Sequence, residues 1–131
     1  MAAPVTTLQQ LYDNVRNTVT KFTFISGGTD QALTKVVDVT ALQPPAGPHL
    51  KIRHIYYDIN AQQGLVRLLW DAPPAPVDLL DLRGMDDQNF WWYGGLNSKG
   101  VLNATGSILV ETQGFQLNES YSITLEMIKG V

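Results

Sequence analysis

What the chain lacks narrows what it can be. It contains no cysteine, which excludes a disulfide framework and any thiolate metal site, so stability must come from packing or assembly. Histidine is scarce: His49 and His54 are the two present, five positions apart. On a strand that odd spacing puts them on opposite faces, so they do not chelate one metal together. No basic run exists, and nine Lys and Arg against twelve Asp and Glu leave a formal charge of -3. Nothing is available to displace counterions from a phosphate backbone, so nucleic acid is not an expected partner. No segment reaches membrane-spanning length, and the opening Met1-Ala2-Ala3-Pro4 has neither the basic region nor the apolar core of a secretory signal. A protein made in a cytoplasm, with no membrane partner, is expected.

What is present reads as strands. At 131 residues and 44% apolar the chain can close one sizeable core. Its densest stretch is Gly64-Leu65-Val66-Arg67-Leu68-Leu69-Trp70-Asp71, apolar on both faces and stopped by Ala72-Pro73-Pro74. The pattern predicts a central strand with Val66, Leu68 and Trp70 on one side and Leu65, Arg67 and Leu69 on the other, lying between two layers. Arg67 then requires a carboxylate or a row of carbonyls from another segment or another subunit.

Ahead of it, Leu8, Leu11, Tyr12 and Val15 recur at helical spacing with Thr6 or Thr7 placed to cap. Residues 1–18 are therefore expected to form a short helix, or an arm that orders against a neighbour, before a single domain over 19–131. From Val19 the period changes to two. Phe22 and Phe24 share a face, Ser26-Gly27-Gly28-Thr29-Asp30 supplies a hairpin turn, and Leu33 to Leu42 is its partner strand, with Leu33, Val37 and Val39 on one face. Gln43-Pro44-Pro45-Ala46-Gly47-Pro48 is a crossover loop. Leu50 to Ile59 is a long strand, with Leu50, Ile52, His54 and Tyr56 facing one way, and it is joined to the central strand by a hairpin at residues 60–64. Val77 to Leu82 is a further strand and Gly84 to Asn89 a polar loop. Gly106 to Thr112 and Tyr121 to Lys129 are two more strands, the last placing Tyr121, Ile123, Leu125 and Met127 in the core. Seven or eight strands with turns at short intervals predict an all-β, antiparallel β-sandwich of jelly-roll-like character.

Chemistry is harder to place. Neither a nucleophile beside a base nor two carboxylates facing across a cleft is discernible. Gly27-Gly28 and Gly94-Gly95 lack the Lys-Ser/Thr or the following helix of a phosphate loop. Asp86-Asp87-Gln88-Asn89 lacks the spacing of a calcium loop, so Asp78, Asp81, Asp86 and Asp87 read as solvated acids. No enzyme activity, metal or cofactor is expected. Asn103-Ala104-Thr105 and Asn118-Glu119-Ser120 match the glycosylation pattern but read as turns.

The most informative feature is Phe90-Trp91-Trp92-Tyr93. Four consecutive aromatics on an extended segment put two on each face, while one core takes one face. The surplus has three sinks: a second buried layer, a subunit interface, or a platform for sugar rings. Phe90, Trp91, Trp92 and Tyr93 are expected interface anchors together with Leu8, Leu11, Tyr12 and Val15. Arg67, Trp70, Gly94 and Gly95 are expected structural positions.

Order and spacing carry a likeness as well. It runs through Ser26-Gly27-Gly28-Thr29, Lys35 to Leu42, Arg67-Leu68-Leu69-Trp70-Asp71, Tyr93-Gly94-Gly95-Leu96-Asn97, Thr105-Gly106-Ser107-Ile108 and Tyr121 to Lys129. From about Lys21 to Lys129 the chain thereby resembles small β-sandwich virion proteins of tailed bacteriophages. None of these pieces is a catalytic signature. The resemblance implies a structural component of the virion, made in the host bacterial cytoplasm, and most directly a head decoration or cement protein bound to the major capsid protein. A homo-oligomer, a trimer first, is expected. The insert at Gln43 to Pro48 and the aromatic excess at Trp91-Trp92 depart from that pattern, which leaves a neck or tail accessory protein as an alternative. From another class, a carbohydrate-binding module would use the same aromatics with Asp86, Asp87 and Asn89.

Overall fold

The computed structural model describes residues 4–42, 50–90, 95–98 and 101–129, among which there are ten strands and no helix. They are β1 (Val5–Asp13), β2 (Asn17–Ile25), β3 (Thr34–Val37), β4 (Leu50–Asn60), β5 (Leu65–Trp70), β6 (Val77–Leu82), β7 (Met85–Asn89), β8 (Leu96–Asn97), β9 (Ile108–Gln113) and β10 (Ser120–Lys129). The larger sheet has the order β1-β2-β10-β4-β7, with β8 also paired to β4, and the smaller has β3-β9-β5-β6. All pairings are antiparallel. The chain is an antiparallel β-sandwich, jelly-roll-like in the way it passes back and forth between two layers.

Alternation explains the core. Along β10, Tyr121, Ile123, Leu125 and Met127 are buried while Ser122, Thr124 and Glu126 are not, the period-two pattern of a strand with one dry face. Phe22 and Phe24 of β2 join them, and Val66, Leu68, Trp70, Leu82, Ile108 and Val110 close the core from the smaller sheet. The rings lock in specific geometry: Phe22 meets Tyr121 edge-on at 5.9 Å, and Phe24 stacks on Tyr121 at 5.6 Å. The Tyr121 hydroxyl donates to Gln31 Oε1 at 2.6 Å. Burial pushes its pKa well above the ordinary phenol value.

The central strand keeps the predicted alternation but has a layer on one face alone. Val66, Leu68 and Trp70 are buried in the core, and Arg67 faces outward to three carboxylates. Its Nε donates to Asp81 at 3.0 Å, its second guanidinium nitrogen donates to Glu111 at 3.4 Å, and Asp78 lies at 3.7 Å. The partners come from the flanking strands β6 and β9, so no second subunit is required. The two-layer burial expected for β5 is therefore not realised: on the outward face Leu69 is buried whereas Leu65 and Arg67 are half-buried.

Other expectations are corrected. The N-terminal segment is not helical: it forms β1, hydrogen-bonded along β2, and Asn17 and Thr18 already belong to β2. A register shift between Gln10 and Tyr12 inserts one residue. That bulge moves Leu11 and Tyr12 out of strict alternation with Leu8 and imitates helical spacing. β2 does not pair with β3 across residues 26–30, because Asp30 is held by the other sheet, accepting from Thr112 Oγ1 and from the Gly114 and Phe115 amides. β3 is shorter than expected and Leu33 is exposed.

Residues 61–64 likewise carry the chain from one sheet to the other and do not form a hairpin. Gly64 there packs so closely that an added Cβ would stand 2.6 Å from Phe115. The segment expected to be a polar loop after Gly84 is strand β7. In β4 a register shift opposite Glu126 and Met127 reverses the alternation, so that Leu50 and Ile52, then Ile55, Tyr57 and Ile59, face the core while His54 and Tyr56 do not. Asn103 and Asn118 adopt left-handed backbone at φ 62° and 65°, the turn role expected of both.

Candidate functional site

Two surfaces stand out, and the first is β1. Antiparallel neighbours opposite one another share a face. Leu8 pairs with Phe22, Thr6 with Phe24 and Gln10 with Thr20, so Thr6, Leu8 and Gln10 lie on the core side of the larger sheet. Phe22 is fully buried, yet Leu8 is 55% exposed. The smaller sheet therefore does not reach under β1, which overhangs the sandwich with eight of its nine residues exposed. Leu11 and Tyr12 are about as open as Leu8, and Val15, in the turn to β2, is 80% exposed.

The overhang is anchored at its far end. Asn14 Oδ1 accepts from the Arg16 and Asn17 amides at 2.9 and 2.7 Å, and Asn14 Nδ2 donates to the Tyr12 hydroxyl at 2.6 Å. Gln10 spans the bulge, donating to Thr18 Oγ1 and to the Tyr12 and Val19 carbonyls. Lys129 Nζ meets Asp13 at 2.5 Å with both side chains largely buried, and the Lys129 amide donates to the Arg16 carbonyl. These contacts fix β1 to β10 across the end of β2.

The second surface is the outward face of the larger sheet. The bulge in β4 turns His54 and Tyr56 out, where their rings stack at 4.2 Å with planes 11° apart. His54 lies between Asp87 and Glu126, each at 3.7 Å. Desolvation first, then the Glu126 carboxylate, raises the Tyr56 hydroxyl pKa above its ordinary value. Beside them is a shallow depression of about 290 Å3 lined by Lys21, Tyr56, Asp58, Met85, Ser122 and Thr124, among others. Such a surface offers a ring face, acceptors and an ammonium group to a polar ligand. Among the described residues, no cluster of three or more His, Asp or Glu is placed to hold a metal.

The expected anchors separate. Leu8, Leu11, Tyr12 and Val15 are all exposed on β1 and the turn after it, Leu8 on the core side of the sheet and Tyr12, opposite Val19, on the outward side. Phe90 is 8% exposed and belongs to the core, its amide donating to the Arg53 carbonyl, so it is not an outward anchor. Trp91, Trp92, Tyr93, Gly94 and His49 lie outside the described residues. Gly95 has φ +93° and sits against the Lys51 side chain and the Ile52 carbonyl, which an added Cβ would crowd; Trp70 is buried. Asp86 and Asp87 are on strand β7 and not in a loop. His54 and Tyr56 were not legible as an outward pair, although the adjacent polar residues Arg53-His54 in an otherwise alternating strand are the sign of a bulge.

No family model matches the chain, and no curated protein does either. The solved structures that the chain matches include two cupins. One is a cupin domain from Bordetella pertussis Tohama I, with 13% identity, 99% of each chain covered and a TM-score of 0.38. The other is a cupin superfamily protein from Desulfitobacterium hafniense DCB-2, with 12% identity, 95% of this chain and 77% of that one covered, and a TM-score of 0.37. At that level neither likeness assigns this chain a ligand, a metal or an activity.

Proposed function

We propose that this chain is a non-enzymatic structural protein of a virus particle, a decoration or cement protein of a tailed-phage head that self-associates and binds neighbouring copies of the major capsid protein. The observation that carries the adhesive part is the β1 overhang, where Leu8, Leu11 and Tyr12, with Val15 in the turn that follows, gather exposed apolar side chains on one edge. The particle part is supported by the resemblance in motif order described above. Many copies on one lattice make modest contacts sufficient, because each bound copy raises the effective concentration of the next contact.

Heads and tails separated by gentle dissociation of purified particles test this directly. The chain should remain with heads at a fixed copy number. Recovery with tails alone moves it to the neck or tail, and absence from both ends the reading.

A second reading is favoured by the depression beside Tyr56. A glycan could lie on that ring with its hydroxyls met by Asp58 or Lys21. Glycan-array binding that is lost in Tyr56→Ala or Trp91→Ala, with assembly intact, would support the lectin role over the structural one.

A further inference from the structure

We propose that β1 pairs with β1 of a second copy, antiparallel about a twofold axis, so that two larger sheets join into one continuous sheet. The proposal rests on the self-association named above and is independent of any particle. An edge strand presents unpaired amides and carbonyls, and soluble proteins blunt such edges with charge, proline, brevity or a bulge. β3 is four residues long and carries Lys35; β6 carries Asp78 and Asp81; β7 carries Asp86 and Asp87. From Val5 to Tyr12, β1 has no charged residue and no proline; its one irregularity is the bulge at Leu11, near the turn to β2, and among the described residues no strand pairs with its outer edge.

The same strand is complementary to itself. Its one charge, Asp13, is met by Lys129 within the monomer. Antiparallel pairing centred near Gln9 sets the two Asp13 residues eight positions apart along the strand, roughly 27 Å at strand rise, whereas parallel pairing would bring them side by side. Centred there, Leu8 and its symmetry mate occupy diagonal positions on the core side, within reach of each other. Each then covers part of the face that the smaller sheet leaves open. A twofold contact is closed, so it yields a dimer and not a fibre.

The absence of cysteine makes the test clean. In the full chain, Gln9→Cys should form a disulfide-linked dimer on mild oxidation, since opposed strand positions meet the spacing a disulfide needs. Val5→Cys should not. Sedimentation equilibrium at high micromolar concentration should give twice the 14.5 kDa chain mass, halved by Leu8→Lys with the circular dichroism spectrum unchanged. A wild-type monomer, a mass of three chains, Val5→Cys linking as readily as Gln9→Cys, or Asp86→Lys halving the mass while Leu8→Lys does not, would each overturn the pairing. A monomer that still co-purifies with heads ends this proposal and leaves the particle reading standing; a dimer absent from particles does the reverse.

Discussion

Glu119 shows how one side chain can hold two loops. Its Oε2 accepts from the Gln62 amide at 2.8 Å and its Oε1 from the Gln116 amide at 2.7 Å, which holds the carboxyl below its ordinary value of 4.5. A group with a depressed folded-state pKa contributes stability that is complete above the unfolded value and is lost as pH falls through the folded one. Thermal melts taken from neutral pH into acid should therefore decline below 4.5, and Glu119→Gln should flatten that decline. The Lys129–Asp13 pair is different in kind, being buried. Lys129→Met strands a carboxylate away from water and should cost about 3–5 kcal/mol in urea unfolding, with much of the loss recovered when Asp13→Asn is added. Arg67's need for acids was legible because it stands amid aliphatics. Lys129 was not, because a lysine closing an alternating strand looks like any solvated end.

Among the elements, alternation was legible where it is unbroken and misleading where a bulge interrupts it. β10 could be read residue by residue. β1 and β4 could not: one inserted residue made the first imitate a helix and reversed the second, turning His54 and Tyr56 outward. A bulge costs one position in the pattern and leaves composition untouched, so only the ladder reveals it. The same sheet depends on a tight approach at Gly95. Gly95→Ala combines left-handed backbone with a clash against Lys51 and should lower stability by about 1–3 kcal/mol, measured by chemical denaturation. A variant as stable as wild type would show that β4 and the Leu96–Asn97 strand can part without cost.

At the scale of the whole molecule, two layers and a single core could be anticipated, but not which strands are neighbours. Short glycine-bearing connectors at 26–33 and 61–64 have the chemistry of hairpin turns and in fact arch between sheets. Turn residues specify local backbone, whereas partner choice is settled by distant packing such as Asp30 on β9 and Phe115 on Gly64. The resulting contacts are far apart in sequence, Ile25 opposite Ser120 for example. Loop closure on that scale precedes any reward, so refolding followed by tryptophan fluorescence in a stopped-flow instrument should fall in the range of about milliseconds to seconds. A microsecond phase accounting for the full amplitude would contradict this topology.

The position of β10 has a consequence for biosynthesis. It follows every other described strand and yet lies in the middle of its sheet, between β2 and β4. While the ribosome is still translating, the β1–β2 pair and the β4–β7 pair can each form, but the strand that lies between them is missing, and both expose a raw inner border. A nascent chain stalled before Ser120 thus has every strand of the smaller sheet but a larger sheet split in two, a natural client for chaperones. The finished layer can close only after residues through Lys129 have cleared the exit tunnel.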